Sequence, residues 1–163
     1  MPYLKNPLIK MKSLKPSYFL IGVLCVLLCA CVKKNPDFEL ADGKTGTFDQ
    51  WHGKWIIINY WATWCGPCHE EIPELNAFYK THPEVILVGV NFDHSQGLML
   101  NEDIKKMTIE FPVLTQDPAK ALQFQTPSIL PTTVIINPEG KVHTLLFGPQ
   151  TENKLGSAIG IIK

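Results

Sequence analysis

The sequence predicts an α/β domain in which a central mixed sheet is flanked by helices and preceded by a short N-terminal β-hairpin. Three observations carry that expectation. Trp55–Trp61 and Val85–Val90 are apolar almost without alternation, as strands covered on both faces are. Each is followed by a segment of helical apolar spacing, and alternation of strand with helix implies parallel neighbours. The last third then changes character. Thr132–Ile136 and Val142–Phe147 flank the turn Asn137-Pro138-Glu139-Gly140, the pattern of an antiparallel hairpin.

The elements follow in order along the 163 residues, a length that suits one domain with a sizeable core. Residues 1–30 read as a secretory leader, in which Lys5, Lys10, Lys12 and Lys15 precede the uncharged run Tyr18–Val32. That run of fifteen residues is shorter than the roughly 20 a helix needs to cross a bilayer. Its end, Leu28-Cys29-Ala30-Cys31, is similar to the bacterial lipobox, which implies that Cys31 is acylated and heads the mature chain. Counting from Met11 as the start gives a leader of ordinary length, and an uncleaved N-terminal anchor is the alternative. Either way the domain is expected outside the cytoplasm, on the periplasmic side of a bacterial membrane. Residues 31–36 form a tether and residues 37–163 the folded domain.

Within that domain, Phe38-Glu39-Leu40 and the turn at Asp42-Gly43 predict the small hairpin, ending near Phe48. A helix is expected over Cys65–Lys80, with Ile72, Leu75, Phe78 and Tyr79 on its buried side and a kink at Pro73. Glu102–Met107 lies in a second helix, with Ile104 and Met107 turned inward. Thr151 caps a last helix in which Leu155, Ile159 and Ile162 recur at helical spacing.

Composition narrows the function. Residues 31–163 hold 11 lysines and 15 acidic residues, and the chain has no arginine, so a phosphate-binding surface and a nucleic-acid partner are not expected. Once the leader takes Cys25 and Cys29 and lipid takes Cys31, Cys65 and Cys68 are the remaining sulfurs. Three residues apart at a helix start, they fall nearly on one face, where a disulfide can close. Cys65 at the helix N-terminus gains from unpaired N–H groups and the helix dipole; Cys68, one turn in, is the more buried. Gly66-Pro67 suits a first turn, where proline has no hydrogen bond to lose. Glu70, Glu71 and Glu74 at the helix start oppose a thiolate there. A metal site would need more ligands than His52, His69, His82, His94 and His143 offer in their scattered positions, and no metal or other cofactor is expected. His69, next to Cys68, either tunes it or faces solvent. A purely structural disulfide would remove little chain entropy from so short a loop.

The run Asn59-Tyr60-Trp61-Ala62-Thr63-Trp64-Cys65-Gly66-Pro67-Cys68, with Phe111-Pro112-Val113-Leu114 and Pro131-Thr132-Thr133, resembles the thioredoxin superfamily. Within it the chain is similar to the TlpA-like, membrane-tethered thiol-disulfide oxidoreductases that include cytochrome c maturation proteins. The resemblance spans residues 36–163 and implies a thioredoxin fold with a redox-active Cys65–Cys68 disulfide. It further implies that Trp64, Gly66, Pro67, Leu130 and Pro131 support the active site, with Pro131 cis and the Leu130 backbone free to pair with an extended substrate. Pro127 is expected to be an ordinary trans residue.

Three departures stand out. Asn59 replaces the buried aspartate of cytoplasmic thioredoxins, so that position supplies no carboxylate to Cys68. Phe124–Leu130 lacks the glycine that usually precedes the cis-proline and is one residue longer. Asn137 replaces a frequent aspartate at a strand end, a change at the level of the turn. The expected activity is reduction of protein disulfides, with apocytochrome c as a candidate substrate and a membrane electron donor as the second partner. A non-catalytic redox-sensing or metal-carrying module and a thiol peroxidase are the alternatives.

Overall fold

The computed structural model describes residues 35–161. The leader, Met11, Cys31, most of the tether and Ile162 lie outside the described residues. Five strands form the central sheet in the order β5-β4-β3-β6-β7, and a separate two-stranded antiparallel sheet, β1 with β2, precedes it. The central strands are β3 (Ile56–Trp61), β4 (Ile86–Asn91), β5 (Val113–Leu114), β6 (Thr132–Ile136) and β7 (Val142–Phe147). The N-terminal pair is β1 (Phe38–Glu39) and β2 (Thr45–Gly46), followed by a 3-10 turn over Phe48–Trp51. The helices are α1 (Gly66–Thr81), α2 (Gly97–Met107) and α3 (Glu152–Ala158).

The sheet is mixed, as the sequence predicts. β3 runs parallel to β4 and antiparallel to β6, so the redox motif leaves the sheet from its central strand. All six residues of β3 are buried because both faces are covered. Ile57 and Trp61 face the side packed by the helices, where they join Cys65, Cys68, Ile72, Leu75 and Phe78. Ile56, Ile58 and Tyr60 face the other side, covered by Trp51, Phe38, Leu122 and Phe124. This period-2 partition of one apolar run fixes the strand register, since a one-residue slip would exchange the two cores.

Local chemistry sets the ends. Cys65 is the N-cap of α1 and Pro67 lies in its first turn, while Pro73 sits on the exposed face of a helix that runs on to Thr81. Thr151 caps α3, its hydroxyl accepting a hydrogen bond from Lys154 N at 3.3 Å. Asn137 does what its turn position implies: its side chain accepts from Lys141 N at 2.8 Å. Helix α2 begins at Gly97, five residues before the segment read from the sequence. Its first turn has no side-chain cap and exposes Leu98 and Met99, so neither capping nor periodicity marks the start.

Close approach explains Gly89 on β4. A Cβ there would stand 2.9 Å from Trp61 Nε1, 3.1 Å from a Phe111 ring carbon and 3.2 Å from Val113 Cγ2. All three neighbours are held in the buried cluster against α1. Gly89→Ala is therefore expected to lower stability by about 1–3 kcal/mol, read as a lower urea midpoint with an unchanged slope. An unchanged midpoint would show that the Trp61 ring yields freely.

Candidate active site

Cys65 and Cys68 are joined, with S–S 2.06 Å and Cα–Cα 5.3 Å. Strand β3 delivers the chain to the C-terminal end of the sheet, and Ala62, Thr63 and Trp64 turn it into α1. The helix N-terminus thus lies at the disulfide, and Cys68 N donates to Cys65 Sγ at 3.3 Å. Cys65 is 5% exposed and Cys68 fully buried, which gives the two sulfurs unequal access to a partner. Gly66 and Pro67 between them face solvent. A thiolate on Cys65 is favoured by the helix N-terminus, and one on Cys68 is disfavoured by burial.

Trp64 immediately precedes Cys65 in the turn into α1. Trp64 is 63% exposed, and its indole N–H donates to the Asp93 carboxylate at 2.9 and 3.1 Å while its ring meets Phe92 edge-on. The ring therefore has a fixed seat although most of it is open to a partner. The Leu130–Pro131 peptide is cis, and no other bond among the described residues is, so Pro127 is trans as expected; Leu130 packs against the buried cluster that holds Cys65 and Cys68. Pro131 is buried against the end of β3, because Thr132, the next residue, pairs with Tyr60. Ile129, just before Leu130, is 60% exposed.

The acidic residues after the cysteines are not placed as the sequence reading has them. The first turn of α1 holds no acid, and Glu71 points into the core, 1% exposed. It accepts from Asn59 Nδ2 at 2.7 Å and from Gln150 N at 3.0 Å. Asn59, itself fully buried, also donates to Thr133 Oγ1 at 3.2 Å. Glu74 instead accepts from Glu152 N at the start of α3. So position 59 indeed carries no carboxylate, but its side chain holds one supplied by α1, one turn beyond Cys68. Burial pushes the Glu71 carboxyl up to about 7 against the pull of its two donors. Within the residue pattern the signal was there: Glu71 lies at helical spacing from Cys68 and Leu75, on the apolar stripe rather than beside it.

The histidines are spread over other tasks. His69 bonds the Thr63 carbonyl oxygen at 2.9 Å, bracing the turn into α1, and His143 meets the Trp55 ring edge-on. His82 lies between Glu84 and Glu152. Among the described residues no group of three or more His, Cys, Asp or Glu is arranged to hold a metal ion.

The AhpC/TSA family profile matches residues 32–145, more than half of the chain. The chain belongs to the AhpC/TSA family. Over 94% of its length this AhpC/TSA chain is 32% identical to the thiol-disulfide oxidoreductase ResA of Bacillus subtilis (strain 168), covering 97% of that protein. It superposes on the crystal structure of StoA from Bacillus subtilis with a TM-score of 0.61 and 27% identity, over 74% of this chain and 92% of that one. A thiol:disulfide interchange protein of the thioredoxin family from Chlorobium tepidum gives a TM-score of 0.62 and 26% identity, over 81% and 98%. The thioredoxin-like fold and the kinship with TlpA-like thiol-disulfide oxidoreductases expected from the sequence are thereby borne out.

Proposed function

We propose that the chain is a thiol-disulfide oxidoreductase that reduces protein disulfides through Cys65 and Cys68. The observation that carries this reading is the closed pair at a helix N-terminus, with Cys65 slightly exposed at 5%, Cys68 fully buried, and a buried carboxylate one turn on. In the reduced chain the Cys65 thiolate attacks a partner disulfide, forming a mixed disulfide and releasing one partner thiolate. Cys68 then attacks Cys65 Sγ, the internal bond closes, and the second partner thiolate leaves with the electron pair. Glu71 takes the proton that Cys68 must lose, a task suited to a group titrating near neutrality. Trp64, Gly66, Pro67, Leu130 and Pro131 shape the surface on which the partner lies.

The setting is part of the proposal. Lipid on Cys31 holds the domain at the periplasmic side of a membrane, a membrane protein supplies electrons, and the haem-attachment cysteines of apocytochromes c are a substrate. The lipobox-like Leu28–Cys31 and the resemblance to the TlpA-like branch support this setting. No helix among the described residues is long and apolar enough to cross a membrane.

Direction follows from the Gly66-Pro67 dipeptide and the apolar Leu130, which resemble reducing members of the superfamily. Equilibration with glutathione is expected to give a potential nearer the about −270 mV of thioredoxin than the about −120 mV of a strong periplasmic oxidant. A value at the oxidant end would overturn the reductase assignment. Consumption of hydrogen peroxide at rates matching disulfide reduction would favour the peroxidase alternative.

A further inference from the structure

The segment between β5 and β6 carries the departure noted in the sequence, a longer stretch without glycine ahead of Pro131. It has no strand of its own, yet both of its ends are fastened. Asp117 Oδ1 accepts from the Tyr60 hydroxyl at 2.7 Å and from Ala119 N at 2.9 Å, and Asp117 Oδ2 accepts from the Thr126 hydroxyl at 2.7 Å. Phe124 meets the Tyr60 ring edge-on, with centroids 6.5 Å apart. From the far side the Thr132 hydroxyl donates to the Ile129 carbonyl at 2.7 Å. Tyr60 is 1% exposed, precedes Trp61 on the redox strand, and pairs through its backbone with Thr132, next to Pro131.

We propose that Asp117 is a positioning residue for partner binding: the Tyr60–Asp117–Thr126 clamp ties the loop bearing Ile129 and Leu130 to the strand that delivers Cys65. The inference rests on the function proposed above. A partner that pairs with the Leu130 backbone meets an edge already in place, so little ordering is left to binding. Carboxylate acceptance makes the two hydroxyl bonds charge-assisted and strong for their kind. Burial and the Asp117 charge push the Tyr60 hydroxyl pKa upward, which keeps it a donor.

The clamp can be cut without touching the core, because Thr126 is exposed. The test compares wild type, Thr126→Val, Asp117→Ala and Asp117→Asn in the full chain held in detergent and recycled by dithiothreitol. Two substrates are used, insulin and glutathione disulfide; dithiothreitol gives up the two electrons that each disulfide gains. Thr126→Val and Asp117→Ala are expected to raise KM for insulin by about tenfold with kcat within about twofold, and to leave the glutathione disulfide rate within about twofold. Asp117→Asn, which still accepts from Tyr60 and can donate to the Thr126 oxygen, should recover most of the loss. Unchanged KM in both cut variants, or equal losses on both substrates, would overturn the clamp. A wild-type chain that reduces neither substrate would instead refute the oxidoreductase reading itself.

Discussion

Cys68→Ser is expected to leave the chain covalently joined to its partners, with insulin turnover down by about a thousandfold or more. Cys65 still attacks, because it is the less buried of the two cysteines and it keeps its place at the N-terminus of α1. The serine that replaces Cys68 cannot displace a partner sulfur, so the mixed disulfide persists until an outside thiol cleaves it. Cys65→Ser should trap nothing, since the remaining sulfur is fully buried. Both variants should fold, because the lost bridge closes a loop with a sequence separation of 3 and so contributes little chain entropy. Non-reducing electrophoresis followed by mass spectrometry of bands that vanish with dithiothreitol checks the result and names the partners. Apocytochromes c among them would support the maturation role; equal trapping by both variants would overturn the assignment of attacking and resolving sulfurs.

Glu71→Gln gives the second large effect, and its signature is a slope with pH. The folded-state pKa of Glu71 is raised from 4.5 to about 7, so between those values the folded chain keeps a proton that the unfolded chain has lost. Stability attributable to this group is therefore full below about pH 4.5, declines as pH rises through the window, and levels off above about 7. The shift corresponds to about 3 kcal/mol at most. Relative to the oxidised wild type, oxidised Glu71→Gln should gain up to that amount between pH 5 and pH 8. The amide presents a donor toward Gln150 N, which lowers the variant's stability by a similar amount at every pH and leaves the slope intact. Turnover of the wild type should rise through neutral pH as Glu71 ionises, and the variant should lack that limb. Urea unfolding at several pH values measures the first effect; a flat difference from pH 5 to 8 would mean that Glu71 titrates as an ordinary surface carboxylate.

Much of the fold is written in short-range pattern. Thr132–Ile136 and Val142–Phe147 are strands at the residues expected, and the saturation of Trp55–Trp61 marks a strand buried on both faces. The two-residue β5 leaves no strand pattern in the sequence, because Val113-Leu114 is too short to show a period. The start of α2 is likewise unmarked, because Gly97, Leu98 and Met99 carry neither a cap nor an inward apolar face. Glu71 is grouped with Glu70 and Glu74 as an anion of the helix start by residue type alone, although its spacing from Cys68 and Leu75 already puts it on the apolar stripe that the structure buries.

By itself, then, the sequence determined the order and type of most elements, the closing of Cys65 on Cys68, and the unequal placement of the two sulfurs. Each depends on residues within a turn or two, where backbone geometry converts spacing directly into position. Only the tertiary structure decided that a carboxylate would stand beside Asn59 and that the loop before Pro131 would be pinned. Glu71 is held by Gln150, 79 residues away, and Asn59 reaches Thr133 across 74. Asp117 is fixed by Tyr60 at a separation of 57. Such partners are set by which strands lie side by side, and the burial that raises a pKa exists only once they do.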